Sequence, residues 1–182
     1  MNATECLKLN LGSRDRSMPG FKNMDIDRHE GVDYIGDVSD LSRFADDSIS
    51  EIFASNILEH FPHTRTLEVL MEWHRVIAPW GKLYLSVPDF ARCAYIYKTY
   101  GMSPWLQNFI VGDQGYKTAF HYAIFDEKRL VALCKQAGFS KFERVKFFDF
   151  SSKKDCSNNV YTEDLKPISI NAVVTKWPET AK

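Results

Sequence analysis

The sequence lacks the features that mark several specialised classes of protein. Its 182 residues carry 23 Lys and Arg against 24 Asp and Glu, and a net charge of −1 offers no general attraction for nucleic acid or an anionic membrane. No apolar run approaches the ~20 residues that a bilayer-spanning helix needs. The N-terminus has no basic segment followed by an apolar run, so we expect no signal peptide, no membrane span and a cytoplasmic protein.

Cysteine and glycine show none of the common functional spacings. The four cysteines are scattered without a C-x-x-C pair, which predicts reduced thiols rather than a disulfide framework or a zinc site. The nine glycines never form the G-x-G-x-x-G fingerprint of dinucleotide-binding turns. This absence disfavours a nicotinamide-dependent oxidoreductase.

An alternation of strand and helix periods is present, and it predicts an α/β fold with a parallel sheet. The length favours a single domain, which we expect to span residues 1–182. The predicted strands lie at 6–11, 20–27, 32–37, 49–55, 82–87, 142–150 and 168–175.

Three helices are predicted between these strands. One covers 89–100, and another begins at its N-cap Asp126 and stops at Gly138. Residues 101–125 are expected to be irregular and are a candidate substrate-covering segment. The remaining helix follows Thr64, and its predicted apolar face consists of Leu67, Leu70, Met71, His74 and Ile77.

The first two strands are unusually close in sequence. About eight residues separate them, whereas a parallel crossover normally needs a dozen or more and usually contains a helix. The sequence therefore predicts that the first crossover helix is short or absent.

A glycine turn after the first strand is followed by an acid in the second strand. Gly12 permits close backbone approach of a ligand, and Asp25 can accept hydrogen bonds from both hydroxyls of a ribose. An ordinary turn and a solvated acid are the alternatives, and Asp27 competes with Asp25 because it lies on the same side of the strand.

The order of several segments resembles class I S-adenosylmethionine-dependent methyltransferases, close to the small type 11 kind. The resemblance covers residues 7 to 150 and is weak beyond them. It rests on the glycine turn at 12–13, Asn-Met-Asp-Ile-Asp at 23–27, Gly-Asp-Val at 36–38, Ser-Asn-Ile-Leu-Glu-His-Phe at 55–61 and Arg-Val-Ile-Ala-Pro-Trp-Gly-Lys-Leu at 75–83.

The resemblance implies a Rossmann-like sheet, mostly parallel with an antiparallel last strand, and S-adenosylmethionine as the cofactor. It assigns the ribose to Asp25, the adenine amino group to Asp37 and the face of the base to Val38. The cofactor-binding residues that it implies are Leu11, Gly12, Ser13, Asp25, Ile26, Asp37, Val38, Ser55 and Asn56.

His60 and His121 are the candidate catalytic bases, because an imidazole titrates near neutral pH. The alternative for His60 is a side chain that supports its loop. His74 is better explained as a core residue. The aromatic side chains Trp105, Phe109, Tyr116 and Phe120 either line an acceptor pocket or form a local core.

The expected activity is methyl transfer to a small-molecule or glycan-type acceptor, with O-methylation preferred. Two departures from the family pattern bear on it: Asn10 stands where an acid is usual, and Arg14 where a second glycine is common. They motivate the alternative of a cofactor-binding but catalytically inactive regulatory or partner module. No metal is expected, since no His/Asp cluster is visible in the sequence.

Overall fold

Seven strands form one sheet in the computed structural model, which describes residues 7–151, 155–160 and 166–178. Cys6, where the first strand is predicted to begin, lies outside these residues. The strand order is β3-β2-β1-β4-β5-β7-β6, and β7 runs antiparallel to both of its neighbours. The strands are β1 Leu7–Leu11, β2 Lys22–Asp25, β3 Tyr34–Ile35, β4 Ile49–Ser55, β5 Ile77–Pro88, β6 Lys141–Val145 and β7 Ser169–Thr175. The predicted α/β sheet, mostly parallel with an antiparallel last strand, is confirmed.

Four α-helices connect the second half of the sheet. They are α1 Thr66–Val76, α2 Phe90–Tyr100, α3 Pro104–Val111 and α4 Glu127–Gln136. The α4 N-cap is Asp126, as predicted, and its side chain accepts a hydrogen bond from the Arg129 N–H. Among the described residues, no helix is long and apolar enough to cross a membrane.

The prediction that residues 101–125 are irregular is wrong in part, because α3 lies within them. The Ser103 side chain caps this helix by accepting from the Leu106 N–H, and Pro104 occupies its first turn. Ser-Pro is therefore the local signal that marks the start of the helix.

The connection from β1 to β2 contains turns and no helix, which confirms the predicted loss of the first crossover helix. The Gly12 N–H donates to the Met24 carbonyl at 2.8 Å, so the loop begins by closing directly onto β2. As a result, one face of the sheet has no helix above its first strands.

The opposite face carries the main apolar core, formed by alternate strand residues such as Leu9, Leu11 and Ile52 packed against α1 and α4. The predicted face of α1 is wrong at Met71, which is 52% exposed. The residues of α1 that are buried are Thr66, Val69, Leu70, Trp73 and Val76.

The helix-free face is covered by the chain that follows β6. Phe148 lies 5.6 Å from the Phe53 ring and Phe150 lies 4.7 Å from the Tyr84 ring, measured between centroids. The predicted strand 142–150 therefore ends early, at Val145, and its last aromatic residues pack over the sheet instead of extending it.

A buried side-chain amide holds the chain that follows β6 against the sheet. Asn171 of β7 accepts a hydrogen bond from the Ser86 hydroxyl at 2.8 Å. Its Nδ2 donates to the Lys146 and Ser157 carbonyls, each at 2.8 Å. Lys146 and Ser157, on either side of the covering chain, are thus both hydrogen-bonded to one side chain of β7.

The position of the α1 core face yields a direct test. Trp73→Ala should lower the free energy of unfolding by about 3–5 kcal/mol, because it leaves a cavity and removes the donor that bonds the Val38 carbonyl. Met71→Ala should change it by less than about 0.5 kcal/mol. Urea denaturation measures both, and equal losses would contradict the assigned face.

Candidate functional site

Four neighbouring parallel strands end at one edge of the sheet. The carboxyl ends of β1, β2 and β4 carry Gly12, Asp25 and Ser55, and β5 ends beside them at Pro88. The carboxyl edge of a parallel α/β sheet is where such folds bind ligands. An edge cavity of about 190 Å³ opens here, lined by the loop after β1, Phe53, Ser55, Phe150 and Asp155.

Gly12 is required by packing as well as by conformation. Its φ is +66°, and a Cβ at this position would lie 1.9 Å from the Ile57 Cδ1 atom. The next residue, Ser13, is buried, and its hydroxyl has no hydrogen-bond partner among the described residues. Ser13 and Leu11 both line the edge cavity.

Asp25 is buried at the start of the loop after β2. Its Oδ2 accepts from the Arg14 N–H at 2.8 Å and its Oδ1 accepts from the Asp27 N–H at 3.0 Å. Each carboxylate oxygen keeps capacity for a further hydrogen bond. Ile26 and Asp27 are exposed, so Asp25 is the acid that the fold holds rigidly.

Asp37 and Val38 follow β3 and have different environments. Asp37 is exposed, and its Oδ1 accepts from both the N–H and the hydroxyl of Ser39. Val38 is buried, and its carbonyl accepts from Trp73 Nε1. The turn presents Asp37 at the surface while Val38 anchors it to α1.

Asp155 belongs to the edge cavity, although it lies in a stretch that the sequence marks only as a polar loop. Its Oδ1 accepts from the Ser55 hydroxyl at 2.6 Å, and Arg16 lies 3.6 Å from its Oδ2. Asp155 also caps the short 3-10 helix Cys156–Asn158. That capping pattern is the only local signal for this residue, and it gives no hint of a cavity.

The buried Asn10 side chain is hydrogen-bonded within the fold. Its Nδ2 donates to the Arg16 carbonyl at 3.0 Å and to Asn23 Oδ1 at 2.9 Å. Both amide hydrogens are therefore used, and the side chain braces the loop after β1.

The loop after β4 begins with a strained residue. Asn56 has a φ of +54°, and its N–H donates to the Ser86 carbonyl at 2.9 Å. Positive φ at a residue other than glycine is uncommon and concentrates at functional positions. The strain orients the short 3-10 helix Leu58–His60 that follows.

His60 and His121, chosen separately from the sequence, lie together in the structure with Glu59. Their ring centroids are 4.9 Å apart, and one ligand atom from each of the three side chains lies within 4.8 Å of the others. We call Glu59, His60 and His121 the carboxylate–histidine cluster. Glu59 is fully buried, and no pattern in the sequence selects it as a site residue.

The cluster has unusual electrostatics. Burial raises the pKa of Glu59 to about 8, and the Asn56 side chain opposes this only weakly, without hydrogen-bonding geometry. Burial lowers the pKa of His60. Burial, with the neighbouring His60, lowers the pKa of His121 to about 4. At neutral pH the three side chains are thus predominantly uncharged in the protein alone.

The segment 101–125 contacts the loop after β1 through Arg14. The guanidinium donates to the Tyr116 hydroxyl at 2.7 Å and lies 4.6 Å from the centre of its ring. Phe109 packs with the small core of α2 and α3, which supports the local-core interpretation for that side chain. Trp105, by contrast, is 38% exposed.

His74 is half-buried on α1 and contacts Phe139 edge-on, with ring centroids 5.0 Å apart. It lies in the core region, away from the carboxyl edge of the sheet. This environment agrees with its interpretation as a packing residue.

No protein-family model and no curated protein sequence matches the chain. Solved structures do resemble it. A SAM-dependent methyltransferase from Archaeoglobus fulgidus has a TM-score of 0.60 and 14% identity, over 94% of this chain and 86% of that chain. A 1,6-didemethyltoxoflavin-N1-methyltransferase from Burkholderia thailandensis, solved with 1,6-didemethyltoxoflavin and S-adenosylhomocysteine, has a TM-score of 0.58 and 13% identity, over 94% and 71%.

A third structure, from Thermotoga maritima and described as a possible histamine N-methyltransferase, has a TM-score of 0.58 and 15% identity, over 93% of this chain and 82% of that chain. At these identities the likeness shows the fold. The chain has the Rossmann-like fold of SAM-dependent methyltransferases, while membership of the type 11 kind stays a prediction.

The raised pKa of Glu59 predicts a pH-dependent stability. Between its ordinary value of 4.5 and about 8, the folded protein keeps the Glu59 proton and the unfolded chain loses it. The folded state then binds more protons, so stability falls as pH rises through this window, by an amount on the order of a few kcal/mol.

Glu59→Gln should remove that loss. Urea denaturation of both proteins at pH 5 and pH 8, with a chelator present, measures it as the change in their difference. The histidines titrate in both proteins and cancel in this comparison. Parallel pH curves for the two proteins would contradict the assigned pKa.

Proposed function

We propose that this chain is an S-adenosylmethionine-dependent methyltransferase that acts on a hydroxyl of a small-molecule or glycan-type acceptor. The observation that carries the proposal is the convergence of the Gly12 turn, buried Asp25 and the edge cavity at the carboxyl edge of this sheet. Residues 1–182 act as one domain in this proposal, and 101–125 covers the acceptor.

The residues at the edge fit the cofactor in chemical type. Asp25 suits the ribose hydroxyls, and Asp37 with Val38 suits the adenine. Ser13 and Asp155 line the edge cavity, which we assign to the amino acid end of the cofactor. Asp155 supplies the acid that Asn10 lacks, and Arg16 beside it suits a carboxylate.

When bound, S-adenosylmethionine supplies an electrophilic methyl group on its sulfonium. The chain then has to align the acceptor, exclude water and handle the proton of the acceptor hydroxyl. Asn56 follows Ser55, which lines the edge cavity, and the loop that begins there carries Glu59 and His60 to His121. We assign this task to Asn56 and the carboxylate–histidine cluster. Both imidazoles are uncharged at neutral pH, so they are in the state that can take part in proton removal.

A catalytically inactive cofactor-binding module is the second candidate. The interior role of Asn10 favours it, because that uncharged side chain is held in the fold by its two Nδ2 hydrogen bonds and offers an ammonium group no ion pair, as an acid would. Calorimetry with S-adenosylmethionine and an acceptor screen followed by mass spectrometry separate the two. Tight binding without turnover over a broad hydroxyl panel favours the module, and methylated product establishes the enzyme.

The ribose assignment predicts a large effect of Asp25→Ala on cofactor affinity. Loss of hydrogen bonds to a charged group should weaken binding of S-adenosylhomocysteine about tenfold or more, measured by titration calorimetry. Asp27→Ala, in the same loop, should stay within about twofold because its side chain is exposed. A larger loss in Asp27→Ala than in Asp25→Ala would move the ribose role to Asp27.

The proton-handling assignment predicts that His60→Gln and His121→Gln each lower kcat about 100-fold, with cofactor affinity nearly unchanged. His63→Gln is the matched control, since His63 is an exposed histidine near the same loop. Single-turnover assays with the acceptor found in the screen measure the effect. Full activity in both variants would remove these histidines from the reaction.

A further inference from the structure

We propose that Glu59, His60 and His121 bind one divalent first-row transition-metal ion at the edge of the acceptor site. The sequence predicts no metal, because His121 is distant in the chain from Glu59 and His60 and the three form no recognisable spacing. The fold brings them together through the backbone. The Glu59 carbonyl accepts from the Tyr122 and Ala123 N–H groups at 2.8 and 3.2 Å, which joins the loop after β4 to the segment before α4.

The distances are close to those of a coordination sphere. One ligand atom from each side chain lies within 4.8 Å of the other two. Neighbouring ligands around a tetrahedral ion at about 2.1 Å are separated by about 3.4 Å. Small side-chain rotations therefore suffice to close the cluster on an ion, and the backbone need not move.

Glu59 is an independent observation that points to a ligand. Its side chain is fully buried, and neither carboxyl oxygen has a hydrogen-bond partner among the described residues. Buried carboxylates are normally paired, hydrogen-bonded or bound to a metal. A cation between Glu59 and the two imidazoles supplies the missing partner.

The histidine tautomers are already set for coordination. His60 Nδ1 lies 3.0 Å from the Phe120 carbonyl, and His121 Nδ1 lies 3.1 Å from the Phe109 carbonyl. A carbonyl only accepts, so each Nδ1 carries the proton and each Nε2 keeps its lone pair. Metal-binding histidines are oriented by this kind of hydrogen bond in most known sites.

The donor set defines the class of ion. Two imidazole nitrogens and one carboxylate suit Zn²⁺, Co²⁺, Fe²⁺ or Mn²⁺, whereas Mg²⁺ and Ca²⁺ prefer oxygen ligands throughout. Three protein ligands leave a position open for a further oxygen.

The open position has a use that rests on the proposed function. An acceptor hydroxyl bound to the ion releases its proton to water more easily, as metal-bound water does. Its oxygen then forms the bond to the methyl carbon as the bond from that carbon to the sulfonium sulfur breaks, and the electron pair remains on sulfur. In this arrangement His60 and His121 act as ligands of the ion, and the acceptor proton passes to water.

The test is metal binding by the untagged full chain after treatment with a chelator. Titration with Co²⁺, followed by visible absorption, should show one equivalent bound with nitrogen and oxygen ligands, and Zn²⁺ should displace it. Glu59→Gln and His121→Asn should each weaken Co²⁺ binding at least tenfold, while His63→Gln should leave it unchanged. Circular dichroism establishes that each variant is folded.

The metal site would be overturned if no Co²⁺ or Zn²⁺ bound at about 100 μM protein and about 1 mM free ion. It would equally be overturned if both substituted proteins kept the affinity of the original chain for the ion. A loss seen in Asp27→Ala instead would place the ion at the exposed group Asp25, Asp27 and His29, and would also overturn it.

Calorimetry with S-adenosylhomocysteine on the same samples keeps the two proposals separate. Cofactor binding without metal binding rejects only the metal site. Metal binding without cofactor binding rejects only the proposed function, because the ion would then sit in a fold that does not use the cofactor.

Discussion

The hydrogen bonds of the Asn171 side chain are the interaction on which the functional edge depends. The crossover helix that would cover this face of the sheet is absent, so the chain after β6 has to cover it. Asn171 holds that chain at both ends through the Lys146 and Ser157 carbonyls. An unpaired amide at this buried position would be costly, and the pairing therefore specifies one placement of the segment.

That placement determines the composition of the edge cavity. Phe148 and Phe150 cover Phe53 and Tyr84, and the Asp155 carboxylate accepts a hydrogen bond from the Ser55 hydroxyl. A helix in this position would have presented its own side chains to the sheet. Here Asp155, from the C-terminal part of the chain, lines the edge cavity together with Asn10 of β1.

Features with a local cause were predictable from the sequence. The short spacing between β1 and β2 predicts the missing helix, and the Asp126 cap with the Gly138 stop predicts α4. The α1 face was misjudged because Met71 and Trp73 are both apolar, and only the position of the sheet decides which is buried. Ser103 and Pro104 show that the signal for α3 was present but masked by the aromatic residues around it.

Features created by long-range contact could not be predicted. Asp155 resembles a turn residue in the sequence, and its partner Ser55 is far away along the chain. His60 and His121 were identified singly as titratable groups, yet nothing in either sequence context indicates that they meet. The burial of Glu59 could not be predicted, because a Leu-Glu-His run is compatible with an exposed acid at the start of a helix.

Without a bound ion, the burial of the Glu59 carboxyl group destabilises the fold. A neutral side chain of the same shape would pack there without the cost of desolvating a carboxyl group. The raised pKa of Glu59 expresses that cost in the protein alone. A bound cation reverses the balance, since it favours the ionised carboxylate and uses the lone pairs of both imidazoles at once. The same three side chains then stabilise the loop after β4 and hold it against the segment 101–125.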